Sequence, residues 1–129
     1  MFIKVRRIFT VGAVAFLLLL FTLPSLFLKS RCEALSGDVD RLLLLDEAGD
    51  EAGAQAAYEA LKGRYEAMRK GAELFLDHQV MDDATRPLEL MGVYLDAGDQ
   101  VSLKAAAVEF RQALECMLAI ETGDLRLLL

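Results

Sequence analysis

Glu73, Asp77, His78, Asp82 and Asp83 are the residues whose types and spacing come closest to chemistry. Carboxylates together with an imidazole are plausible ligands for a divalent cation. His78 and Asp82 stand four positions apart, so one continuous helix would place them on one face. Asp77, His78, Asp82 and Asp83 are therefore the candidate metal ligands. A structural role competes with this reading, because acids gather at a helix start to cap it and to complement its dipole. No catalytic set accompanies the cluster. The chain has one histidine, no glycine-rich phosphate loop and no nucleophile elbow. The expectation is a non-enzyme without a cofactor.

Cys32 and Cys116 are too few for a disulfide framework and too far apart for a zinc motif. Cys116 falls among apolar residues and is expected to pack as a small hydrophobe. Cys32 follows a long apolar segment; a bridge to Cys116 or a lipid on Cys32 are the alternatives.

The elements that must position these residues are helices. Leu35, Val39, Leu42 and Leu45 form the first apolar stripe, with Gly37 as a weak point in it. Ala54, Tyr58, Leu61, Tyr65, Met68, Ala72 and Phe75 recur at four and three, the spacing that keeps one seam of a bundle helix toward a neighbour. This predicts a helix over roughly residues 51 to 78. Pro87 fits best in a first turn, so Asp83 or Thr85 is the expected cap of the next helix, which carries Ala84, Leu88, Met91 and Leu95. Leu103, Ala107, Phe110, Leu114 and Met117 form the last stripe, widened by Ala106, Ala113 and Leu118. Gly123 breaks it, and the following Asp-Leu-Arg-Leu-Leu-Leu is expected to fold back. Tyr58, Tyr65 and Tyr94 lie on or beside the stripes and read as core.

Ala-Gly-Asp is written twice, at 48–50 and 97–99. Glycine accepts the left-handed conformation that ends a helix, and aspartate caps the next one. An offset of 49 also aligns Ala54 with Leu103, Ala57 with Ala106, Leu61 with Phe110, Tyr65 with Leu114 and Met68 with Met117. Two helical hairpins of similar plan follow. A tetratricopeptide array would need a shorter period and more copies. A closed four-helix module is the leading expectation, and a solenoid-like pair of hairpins, a tetratricopeptide-like adaptor, is the alternative.

Ile8 to Leu28 is 21 residues without a charge. As a helix it is about 31 Å long, close to the hydrocarbon thickness of a bilayer. Ile8, Leu17, Leu20 and Leu28 mark this expected membrane anchor, with Pro24 near its end. Small residues are missing where a signal peptidase would need them, so the anchor is read as uncleaved. Residues 1–31 form the anchor with its basic flanks, Lys4, Arg6 and Arg7 before and Lys29 and Arg31 after. The bias places the amino terminus in the cytoplasm and residues 32–129 outside. Residues 32–129 form an acidic helical domain that holds nine of the 14 bases and all 20 acids, a formal charge of −11. That field argues against nucleic acid as a partner, since such binding needs cationic surface. The fold class expected is all-α: an N-terminal transmembrane helix followed by a small antiparallel bundle of two hairpins.

With the anchor, the hairpins and the Asp-His-Gln-Val-Met-Asp-Asp junction in hand, the chain resembles a family of small bacterial proteins catalogued as a domain of unknown function, found largely in Gram-positive spore formers. The matching positions are Asp77, His78 and Asp82, then Leu88, Tyr94, Asp99, Ala106, Glu109 and Leu114, and Leu125 and Leu127 at the end. The resemblance implies one N-terminal membrane helix and about a hundred helical residues at the cell envelope, without an activity. The functional expectation is an anchored interaction or scaffolding module whose partners are the lipid bilayer and an envelope protein; a divalent-cation sensor or buffer is the alternative.

Overall fold

The computed structural model describes residues 2–74 and 76–121, apart from the side chains of residues 2, 21, 22, 24, 25, 120 and 121. Phe75 and the leucine-rich tail, on which the sequence reading placed a stripe residue and a folded-back segment, lie outside the described residues. Four helices are present among them: α1 (Phe2–Glu47), α2 (Glu51–Ala72), α3 (His78–Ala97) and α4 (Gln100–Glu121). The protein is all-α, as its periodicity predicts.

Both Ala-Gly-Asp turns fold by one set of local hydrogen bonds. At the first, Gly49 has φ +77°, its N–H donates to the Asp46 carbonyl and that of Asp50 to the Leu45 carbonyl. At the second, Gly98 has φ +69°, its N–H donates to Leu95 and that of Asp99 to Tyr94. Each partner is displaced by the same 49 residues. These bonds satisfy the last carbonyls of one helix, and a left-handed glycine makes the reversal possible without a Cβ clash. The aspartate then opens the next helix: Asp50 Oδ1 accepts from Gly53 N at 2.9 Å, and Asp99 Oδ1 from Ser102 N at 3.1 Å. A bond from the Ser102 side chain, the largest cause, together with the backbone N–H groups of Ser102 and Val101 holds the Asp99 carboxyl below the usual carboxylate range.

The carboxyl-terminal half of α1 pairs with α2, α3 pairs with α4, and α4 returns against α1, while α2 and α3 touch sparingly. This ring is a closed bundle, so the solenoid alternative is set aside. The centre is crossed diagonally by Tyr65 of α2 and Phe110 of α4, whose ring centroids are 5.7 Å apart at 71°. Such an edge-to-face pair adds about 1 kcal/mol beyond the area it removes from water. Of the ten residues aligned by the 49-residue offset, all but the half-buried Ala57 are buried. Ion pairs on the surface lace the same seams: Asp38 with Arg64 at 2.6 Å across α1 and α2, and Glu47 with Lys104 at 2.9 Å across α1 and α4.

Three features correct the sequence reading. First, α2 ends at Ala72, not near 78, and α3 is capped at Asp77, not at Asp83 or Thr85. Pro87 therefore lies inside α3 and is buried. An interior proline costs about 3 kcal/mol in an isolated helix through the lost bond to the carbonyl four residues back. Here Met81, Ala84, Leu88 and Met91 bury one face of α3 around it, and that packing outweighs the local cost. Second, Cys116 is exposed and Cys32 is buried, with both thiols free. Cys116 stands two positions from Leu114, about 200° around the helix and so off the buried stripe. Cys32 continues the stripe of Leu35, Val39 and Leu42 backward by three, and burial pushes its thiol up to about 11. Third, Leu28, assigned to the anchor, is 0% exposed and belongs to the bundle core. The core thus begins before the 31/32 boundary, and α1 is one helix through Gly37 and position 24.

Candidate functional site

The acidic junction does not assemble as a ligand set. Asp77 sits at the cap of α3 with no side-chain cap bond, His78 is the first residue of the helix, and Asp82 and Asp83 follow one turn later, all exposed. Among the described residues, no three His, Cys, Asp or Glu side chains gather as a group able to hold a metal ion. Asp82 is instead aimed across the seam at Arg69, with 3.4 Å from Oδ1 to Nη2.

What the fold builds there is a clamp between α2 and α3. Arg69 Nε donates to Glu73 Oε1 at 2.9 Å, four residues along α2, and Nη1 donates to Thr85 Oγ1 at 2.9 Å on α3. The Tyr65 hydroxyl lies 2.9 Å from the Met81 carbonyl, Thr85 Oγ1 lies 2.8 Å from the same carbonyl, and the two hydroxyls are 2.7 Å apart. With one proton each, the hydroxyls donate two of these three contacts at a time. Burial raises the Tyr65 phenol above its ordinary value, so at neutral pH it remains a donor. Two turns along, Tyr58 donates to the Leu88 carbonyl at 3.0 Å. These bonds join the two neighbouring helices of the ring that touch each other most sparingly. Their effect is that of a fastener: side chains of α2 are tied to the backbone and side chains of α3. The Arg69–Glu73 spacing is legible in the sequence as a helical i, i+4 pair, whereas Thr85 carries no signal that links it to Arg69.

The feature most unlike an ordinary domain surface is the amino-terminal half of α1. Ile8 is 73% exposed, Phe16, Leu17, Leu18 and Leu19 are all exposed, and Leu20 is 50% exposed. Consecutive helical positions point 100° apart, so five apolar residues in a row from Phe16 to Leu20 cover every side of the helix. No helix of the described residues is long and apolar enough to cross a membrane. Four positions within residues 8–28, namely 21, 22, 24 and 25, are among those whose side chains are not described. Leu28, two positions after the exposed Leu26 and so on the opposite side of the helix, is among the described residues the first of α1 that the bundle core buries. Across the boundary, Arg31 lies over the Phe27 ring at 5.4 Å from its centroid. Such a contact places a cation beside an aromatic ring, as suits a polar–apolar border.

The chain matches no known protein family, no curated protein and no solved structure.

Proposed function

We propose that the chain is a single-pass membrane-anchored helical module that serves a binding or scaffolding role at the bacterial cell envelope. The observation that carries this reading is an apolar helix, uncovered on all sides, that runs without a break into the core of a closed bundle. Contiguous apolar surface of that extent in water is unfavourable, and a bilayer removes it from water over its whole circumference. The charge-free stretch ahead of the buried Leu28, residues 8–27, is about 30 Å long as a helix, close to the hydrocarbon thickness. Lys4, Arg6 and Arg7 ahead of it hold the amino terminus on the cytoplasmic side, which places residues 32–129 outside. Anchoring confines the acidic bundle to the membrane plane and raises its effective concentration near an envelope protein.

The test is extraction. Membranes from cells expressing the full chain are washed with alkaline carbonate and then with a mild detergent. The chain stays with the membrane in carbonate and leaves it in detergent; release by carbonate alone refutes the anchor. Crosslinking in the same cells before detergent purification recovers a recurrent envelope protein, and recovery of background species alone refutes the interaction role.

A further inference from the structure

Leu74 is 87% exposed in the loop between α2 and α3, although Ala72 and Leu76 on either side of it are buried. The core therefore has room for its neighbours and leaves this leucine out. Its height relative to α1 follows from the packing of α2. A Cβ placed on Gly71 would lie 3.4 Å from two Phe27 ring atoms, which sets the last turn of α2 level with Phe27. The two helices run in opposite directions, so the chain beyond Gly71 continues toward the amino-terminal half of α1. α2 ends at Ala72 and Leu74 follows two residues later, so Leu74 stands on the amino-terminal side of Phe27, toward the exposed Leu23 and Leu26.

From this juxtaposition we infer that the α2–α3 loop is a second contact with the bilayer, made by Leu74 inserting among lipid chains beside α1. The inference rests on the membrane-anchor reading and adds to it a fixed posture. A helix that passes unbroken from the bilayer into the core holds the bundle directly against the membrane, and Leu74 meets the surface at a second point. Lys29, Arg31 and Lys70 are exposed at the same end and suit the headgroup layer, while the nearby Glu73 carboxylate is occupied by Arg69. The occupant is a lipid surface, because the leucine stands toward an apolar helix face that is itself uncovered.

Depth-dependent quenching tests it in the full chain. Cys116→Ser removes the exposed thiol, and single cysteines are placed by Leu74→Cys, Leu20→Cys and Gln100→Cys; the buried Cys32, its thiol pushed up to about 11, is left in place. Cys116→Ser alone measures any labelling of Cys32. Each variant is labelled with an environment-sensitive dye, checked for helicity, and reconstituted in phosphatidylcholine–phosphatidylglycerol vesicles with and without brominated acyl chains. The expected result is strong quenching at 20, quenching at 74 several-fold above that at 100, and a blue-shifted emission at 74. Quenching at 20 with position 74 indistinguishable from 100 overturns the loop contact and leaves the anchor standing. Absence of quenching at both 20 and 74 overturns the anchor and the loop contact together.

Discussion

Gly92→Ala sets two physical effects of known size against each other. Gly92 lies inside α3, and by helix propensity alone alanine there is favoured by about 1 kcal/mol. A Cβ at that position, however, would stand 2.5 Å from the Tyr58 hydroxyl oxygen, 2.7 Å from Cζ and 2.9 Å from Cε1. Tyr58 is buried and its hydroxyl is bonded to the Leu88 carbonyl, so the ring has little freedom to withdraw. Overpacking of a filled core costs about 1–3 kcal/mol, and loss of the hydrogen bond about 1 kcal/mol more. Set against the propensity gain, the net expectation is a loss of about 1–3 kcal/mol. Gly63→Ala is the control: Gly63 is exposed inside α2 with nothing within 4 Å of an added Cβ, so the same propensity effect acts without the collision. It should stabilise by up to about 1 kcal/mol. Urea unfolding of the full chain in mild detergent, followed by circular dichroism, measures both. Opposite signs support the argument. Gly92→Ala stabilising as much as Gly63→Ala would refute the claim that the Tyr58 ring is fixed against α3.

Two further predictions concern ionisable groups. One thiol per chain, Cys116, reacts with a maleimide under native conditions, and two react after unfolding, because Cys32 is 2% exposed and its thiol is raised to about 11; two fast native thiols in a stoichiometric titration would contradict the buried position of Cys32. An impermeant reagent on intact cells labels Cys116 if the bundle lies outside, and labelling only after permeabilisation reverses the orientation. The Asp99 carboxyl is held below the unfolded value of about 3.9 by its bonds at Ser102, so its contribution to stability is fully present above that value and is lost as pH falls through the folded one. A carbon-detected NMR titration that finds Asp99 at or above the unfolded value would remove the cap from this account.

Legibility divides by the range of the interactions. The turns were readable because a Gly-Asp pair acts on carbonyls and amides within a few residues of itself, so 48–50 and 97–99 fold by local chemistry that any context would permit. The stripes were readable because a seam with 3.5-residue spacing buries one face whatever lies opposite, and Tyr65, Phe110 and Met117 meet the core as their spacing requires. The acidic junction divides the same way: His78 and Asp82 do share α3, as their spacing asks, yet nothing in that spacing shows that Asp82 lies 3.4 Å from Arg69 of another helix.

The sequence by itself determined the all-α class, both glycine-ended reversals and the apolar stretch of α1, since each follows from spacing and from bonds between near neighbours. Tertiary structure alone decided that Pro87 stays inside α3, that Leu28 and Cys32 join the core while Cys116 faces out, and that Arg69 fastens α2 to α3. Each of these depends on what another helix places opposite, and packing energy between helices exceeds the local preferences it overrides. The same long-range register brings Leu74, a loop residue with no periodicity of its own, toward the apolar half of α1.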